Sequence, residues 1–362
     1  MKQRKICVIS QFVKWGCIES VRYFLSFDER KYGLLFVWDE KEPDYLIVDN
    51  SIYNDYFRKS LYQKYLKLAT LDTVSILFTF ECFEPDLNLF DYALVWDADL
   101  IHTDRICKVP ISIRHKSLFE MGREKDAVSI LKSKNKYCNF IYSNPWAPAI
   151  RTDLFYKLSE YKQVDSLGPY LRNVEINTDP YEKDAIQNSI ILKKPYKFSI
   201  ACENGNHNGY ISEKIITSFL ANTIPIYWGD PKIAEVFNPK AFINYYDYDS
   251  LEEVLETVKK IDQSDELWCQ MVNEPWFTEE QITKQRVEKQ HYNNFLINIF
   301  SQDPREAKRL SNTFWIKYYK KMFLEDKFSS YNTMHYQMKN IVHLIYSMMP
   351  LKIRNIILKY KK

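Results

Sequence analysis

The seven cysteines contain no C-x-x-C pair, and their number is odd. Cys7, Cys17, Cys82, Cys107, Cys138, Cys202 and Cys269 are scattered, mostly in apolar runs. That pattern excludes a zinc framework and a disulfide-stapled scaffold, and predicts reduced core thiols in a cytoplasmic protein. A run of about 18 apolar residues is missing as well, so no membrane span is predicted. The opening residues, MKQRKICVISQF, are basic but lack a long apolar region; they read as a first strand and not a signal peptide. There is no G-x-G-x-x-G fingerprint. Lys and Arg total 50 against 47 Asp and Glu, a formal charge of +3, so no global field argues for a nucleic-acid partner.

What is present suffices for two ordinary domains. The chain has 362 residues, 46% of them apolar and 16% aromatic. In its first part, strands are predicted at Ile6–Ile9, Gly33–Trp38, Tyr45–Val48, Val74–Phe80 and Tyr92–Val95. Helical patterns cover Ile18–Phe27 and Tyr53–Leu71. Alternating strands and helices imply an α/β architecture with largely parallel sheets.

The chain is organised around Tyr196–Pro231, YKFSIACENGNHNGYISEKIITSFLANTIPIYWGDP. Phe198–Cys202 reads as a buried strand stopping at Glu203. Asn204–Tyr210 reads as a loop of residues that tolerate unusual backbone angles. Ser212 stands where a helix N-cap belongs, followed by Glu213, Lys214 and an apolar helical face. Ile224–Trp228 reads as the next strand. Such a βαβ unit binds ligands where strands end and helices begin. Free N–H groups at the helix start favour an anion. A lysine there is a poor match for the helix dipole, so Lys214 predicts an anion that offsets it. Glu213 could accept hydrogen bonds from ribose hydroxyls. The residues alone leave two readings open: a nucleotide-diphosphate site, or a solvated Glu-Lys pair on a surface helix.

Three further positions carry chemistry. Glu81 and Glu84 lie on the loop after Val74–Phe80, where a carboxylate can act as a general base, or simply face solvent. Asp97 and Asp99 form a D-x-D pair, a hard-ligand pattern for a metal at a diphosphate, but they lie outside Tyr196–Pro231 and no metal site is assigned. Arg151, at a predicted helix start, can clamp phosphate through two parallel hydrogen bonds or be a surface arginine.

The stretch resembles the donor-binding motif of glycosyltransferase family 10, the α-1,3/4-fucosyltransferases, and its bacterial members above all. The matching residues are Glu203, Asn204, Tyr210, Ser212, Glu213, Lys214, Pro225 and Gly229, continued by Phe237–Ile243. Asn88–Ala93, reading NLFDYA, and Ser143, Asn144, Arg151 and Val164–Gly168 extend the likeness, which covers about Val74–Ile261. It implies a GT-B type fold of two Rossmann-like domains facing a cleft. The expected domains are an acceptor-side domain at 1–139, a donor domain at 140–301, helices packing back on the first domain at 302–327, and a basic amphipathic tail at 328–362.

The activity it implies is inverting transfer of L-fucose from GDP-β-L-fucose to a hydroxyl of an N-acetyllactosamine-type glycan, α-1,3 before α-1,4, of the Lewis-antigen or lipopolysaccharide O-antigen kind. It implies Glu81 as base, with Glu84 as second choice because the family's second acid is displaced by one position here. Arg151, Asn204, Tyr210, Glu213 and Lys214 would bind donor. No metal is required, since two cations are already supplied; Mg2+ or Mn2+ would at most stimulate. Animal members carry an N-terminal membrane anchor that is not seen here, which fits a bacterial-type enzyme. Residues 328–362 contain no acid and interleave basic with apolar side chains, which suggests contact with a membrane surface or a lipid-linked acceptor. Two rivals stand beside this reading: a transferase of the same fold using another nucleotide sugar, and a non-catalytic glycan-binding protein.

Overall fold

The computed structural model describes residues 1–11, 17–53, 58–70, 72–79, 81, 84–97, 99–100, 103–114, 125–181 and 184–311. Among the described residues two compact units emerge: 1–114 with 285–311, and the stretch between them, 125–284.

The first unit is built on six parallel strands: β1 (Lys2–Ile9), β2 (Leu34–Trp38), β3 (Tyr45–Asp49), β4 (Val74–Phe78), β5 (Tyr92–Val95) and β6 (Ile106–Lys108), in the order β2-β1-β3-β4-β5-β6. Strands β3, β4 and β5 are buried along their whole length, as a parallel sheet covered on both faces requires. Helices α1 (Ile18–Leu25) and α2 (Arg58–Leu68) fall within the predicted helical patterns and are shorter than them. Helix α1 stops because Ser26 takes a left-handed conformation, φ 45°, and returns its N–H to Arg22 O. Strand β4 ends at Phe78, earlier than the apolar run predicts: Thr79 still donates its N–H to Leu94 O at 2.9 Å but turns its carbonyl out of the ladder. Its carbonyl accepts from Trp96 Nε1 at 2.6 Å.

Late chain completes this unit. Arg4 Nε donates to Phe300 O at 2.7 Å, and Tyr292 Oη donates to Leu25 O at 2.9 Å. Asp91, fully buried within the NLFDYA stretch, accepts from Ser75 N at 2.8 Å, Arg309 N at 2.8 Å and Leu310 N at 2.7 Å, and pairs with Lys308 Nζ at 3.3 Å. Burial opposes its charge, yet Lys308 and the converging N–H groups hold its pKa below the ordinary aspartate value.

The second unit has five parallel strands: β7 (Lys136–Phe140), β8 (Val164–Ser166), β9 (Tyr196–Cys202), β10 (Ile224–Trp228) and β11 (Ile243–Asn244), in the order β11-β10-β9-β7-β8. The sheet opens at Lys136, ahead of the predicted start at Phe140. Its helices are α3 (Ala127–Lys132), α4 (Ala149–Ser159), α5 (Ala185–Lys193), α6 (Glu213–Leu220), α7 (Leu251–Asp262) and α8 (Asp265–Asn273). Helix α9 (Glu279–Ser301) begins in this unit and continues into the first. Phe140, Leu154, Leu158, Phe198, Val258 and Trp268 share one buried core.

From β7 the chain runs outward to β8, then returns to lay β9 on the other side of β7. The strand order therefore reverses between β7 and β9, and a doubly wound sheet opens a crevice at the carboxyl ends of such a pair. The described cysteines are all free, and Cys7, Cys107, Cys138 and Cys202 are buried. Among the described residues no helix is long and apolar enough to cross a membrane. Cys82 and nearly all of the predicted C-terminal helices and tail lie outside the described residues.

Candidate functional site

The crevice between β7 and β9 is where the candidate donor residues gather. Strand β9 is buried from Phe198 onward because both faces of the sheet are covered. The first residue past it, Glu203, is fully buried and turns its carboxylate toward the start of α6. Its Oε1 accepts from Ser212 N at 2.8 Å. Its Oε2 accepts from Ser212 Oγ at 2.6 Å and from Lys214 Nζ at 3.2 Å. Ser212 is the N-cap: its Oγ accepts from Lys214 N at 3.4 Å and from Lys214 Nζ at 2.9 Å.

Sequence reasoning missed Glu203 as the partner of Lys214, and the expectation built on that lysine is corrected here. The anion that offsets Lys214 is supplied by the protein itself. The signal was present, since an acid closing a buried strand cannot stay unpaired. Lys214 is only 17% exposed. Burial works against its charge, but the Glu203 and Glu213 carboxylates outweigh burial and raise its pKa above the ordinary lysine value. Two of its three N–H donors are spent on Glu203 and Ser212, which aims the ammonium. Glu213 stands 3.7 Å from it with its side chain half exposed.

Arg151, in the first turn of α4, is 1% exposed. Its guanidinium lies over the Tyr142 ring at 4.1 Å, and Nη2 reaches Cys202 O at 3.1 Å, Glu203 O at 2.7 Å and Asn204 Oδ1 at 2.8 Å. The predicted two-pronged phosphate clamp needs an outward-facing edge of the guanidinium. Here Nη2 instead braces the turn that follows β9, and Nε is buried with no partner among the described residues. Asn204 is exposed at the top of that brace.

Gly209, at φ 87°, donates its N–H to Asp230 Oδ2 at 3.0 Å, which pins the loop to the end of β10. Tyr210 is 3% exposed and donates its backbone N–H to His207 O at 3.2 Å, so it supports the loop from within. Gly229 is required by space: a Cβ there would lie 2.4 Å from Glu203 Cγ and 2.7 Å from Tyr227 Oη.

Arg151, Asn204, Tyr210, Glu213 and Lys214 therefore share one site in the second unit. Glu81 and Glu84 belong to the first unit, where both are exposed just past β4. Asp97, 8% exposed, directs Oδ1 to its own turn, accepting from Asp99 N at 2.8 Å.

Comparison with known proteins follows the same map. Residues 131–312 match the family described as glycosyltransferase family 10 (fucosyltransferase), C-terminal part. The chain belongs to that family. A mimivirus protein named as a fucosyltransferase is 29% identical over 289 residues, 77% of this chain and 46% of its own length. The Helicobacter pylori alpha-(1,3)-fucosyltransferase FucT is 28% identical over 233 residues, 55% of this chain and 46% of its own. Human GDP-fucose protein O-fucosyltransferase 3 is 25% identical over 214 residues, 56% and 43% respectively. The chain thus spans about half the length of the curated relatives it matches. A crystal structure of an alpha1,3-fucosyltransferase with GDP-fucose superposes with a TM-score of 0.56 at 21% identity, covering 81% of this chain and 91% of the other. That likeness shows the fold: this family 10 chain has the GT-B architecture of two parallel-sheet units.

Proposed function

We propose that this family 10 chain is an inverting fucosyltransferase that moves L-fucose from GDP-β-L-fucose to a glycan hydroxyl, forming an α-1,3 linkage on an N-acetyllactosamine-type acceptor. The observation that carries the reading is the ordered Glu203–Ser212–Lys214 cluster at the β7/β9 crevice, beside the half-exposed Glu213. It has the charge and hydroxyl chemistry for a ribose and a diphosphate. The fucosyltransferase names of the relatives support the donor, and the H. pylori enzyme supports the linkage.

The chemistry is a single displacement. The acceptor oxygen attacks the anomeric carbon and loses its proton to a carboxylate. We assign that base to Glu81, with Glu84 second. The bond from the anomeric carbon to the phosphate oxygen breaks with its electron pair going to GDP. Lys214 stabilises the departing charge, with Arg151 adding positive charge beneath the loop. Attack opposite the leaving group converts the β-linked donor to an α-linked product. The pair of cations makes a metal dispensable in this scheme, and Mg2+ or Mn2+ would act only as stimulants. The acid-free tail at 328–362 supports contact with an anionic membrane surface, which would suit a lipid-linked acceptor and a peripheral location in the cytoplasm.

A second acceptor reading rests on the human relative, whose name places the fucose on protein. The deciding measurement is GDP release from GDP-fucose with no acceptor, with N-acetyllactosamine, and with a serine/threonine-bearing protein panel, for wild type and Lys214→Ala. Release that needs N-acetyllactosamine and is lost in the variant is the expected result. Release needing the protein panel would replace the acceptor and keep the donor. No release and no binding of GDP-fucose would overturn the proposal.

A further inference from the structure

Beneath the site lies a cation that the mechanism above does not use. Lys193 closes α5 and is 3% exposed. Its Nζ donates to Lys214 O at 3.0 Å, Thr217 Oγ1 at 2.7 Å and Ser218 Oγ at 3.1 Å. Thr217 Oγ1 passes the contact on to Glu213 O at 2.8 Å, and Ser218 Oγ to Lys214 O at 2.8 Å. Three acceptors therefore surround one amine, and only the protonated form has three N–H groups to satisfy them. All the acceptors belong to the opening turns of α6, the element that carries Glu213 and Lys214.

The local charge makes this position consequential. Lys214 faces two carboxylates, Glu203 at 3.2 Å and Glu213 at 3.7 Å. Protonated, Lys193 adds one positive charge behind this group.

We propose that Lys193 is a positioning residue of the donor site, whose buried ammonium fixes the start of α6 and supplies positive charge behind the diphosphate, so that donor binding draws a proton onto it. The inference rests on the donor reading given above and extends it. The charged groups acting on Lys193 are Glu213 and Lys214 from α6 and Glu203 from the end of β9. Burial is the largest influence and lowers its pKa to about 7, with Lys214 acting in the same direction and the two carboxylates against it. Lys193 is thus part-protonated near neutrality. A diphosphate placed above it favours the charged form, and by linkage the donor binds tighter where that form already exists.

The test is calorimetric binding of GDP-fucose, whose diphosphate is esterified at both ends and so carries no proton that titrates between pH 6 and 8.5. Titrations in two buffers of different ionisation enthalpy report proton uptake directly. Wild type should take up about half a proton at pH 7, with affinity falling as pH rises from 6 to 8.5. Lys193→Met should bind about tenfold weaker, with a flat pH profile and no uptake, the loss corresponding to roughly one unit of linked pKa shift. Lys193→Arg, permanently charged, should regain affinity at pH 8.5 without uptake. A Met variant that melts lower yet binds with wild-type affinity and pH profile reduces Lys193 to a structural role and overturns the proposal. Should that variant not fold, a wild-type affinity flat from pH 6 to 8.5 overturns it equally. Wild type that binds no GDP-fucose at all removes the donor reading itself, and this inference with it.

Discussion

At the residue scale, the site turns on the match between Glu203 and Lys214. Removing one partner of a buried pair leaves an uncompensated charge, which costs about 3 kcal/mol, far more than the net gain of forming the pair. Glu203→Gln should therefore lower the chemical-denaturation midpoint by an amount of that order and weaken GDP-fucose binding. A denaturation curve superimposable on wild type would show that the pair contributes nothing. Gly229 tests the same point through space. Gly229→Ala drives a methyl into Glu203 Cγ, and overpacking of this kind costs about 1–3 kcal/mol. Gly205, with open space around it, should accept alanine with no change in melting temperature. Equal effects at the two glycines would sink the steric account. The place of Glu213 and Lys214 at a helix start was legible because a capping serine followed by apolar periodicity is a local signal. The role of Glu203 was not, because which acid meets which lysine depends on where the strand end lies relative to the helix.

At the scale of elements, α6 is held at its start from three sides: by its own cap, by the end of β9 and by α5. Ser212 serves the first two at once, since its Oγ accepts from Lys214 N and donates to Glu203. Ser212→Ala removes both interactions and should destabilise the protein by about 2 kcal/mol, the upper end for lost caps; Ser212→Thr keeps a hydroxyl and should retain most of that stability. Indistinguishable urea midpoints for the two variants would count against the dual role. The cap, the helix and both flanking strands were readable from local pattern, because capping and apolar periodicity are short-range properties. Arg151 shows the opposite case. Its place in the first turn of a helix was readable, but its direction was not. The Tyr142 ring and the carbonyls of Cys202 and Glu203 draw the guanidinium inward, and the two carbonyls, at the end of β9, are 51 and 52 residues away in sequence.

At the scale of the whole molecule, buried ionisable groups set the response to pH. Lys134 Nζ is enclosed by Lys194 O at 2.7 Å, Ala221 O at 2.8 Å and Thr223 Oγ1 at 3.2 Å, and burial lowers its pKa to about 7, as it does for Lys193. Unfolding returns both lysines to their ordinary value of 10.5, so above pH 7 the unfolded chain binds more protons than the folded one. Stability then rises with pH across this window. The melting temperature of the ligand-free protein should climb from pH 7 to 8.5, and the climb should shrink in Lys134→Met; a decline over that range would contradict the sign. Asp91 acts at the other end: its lowered pKa means that its stabilisation is present above the ordinary aspartate value and is lost as pH falls through the folded one. The sequence by itself determined the alternation of strands and helices, the two-domain scale, the family and the βαβ unit that carries the candidate donor residues. These follow from periodicity, caps and contiguous motif, all of which act over a few residues. Only the tertiary structure decided the pairing of Glu203 with Lys214, the inward turn of Arg151, the clamp on Asp91 and the lysine under α6. Each of these depends on which distant groups share a buried space, where an unmatched charge or polar atom is too costly to remain, and spacing along the chain does not encode that proximity.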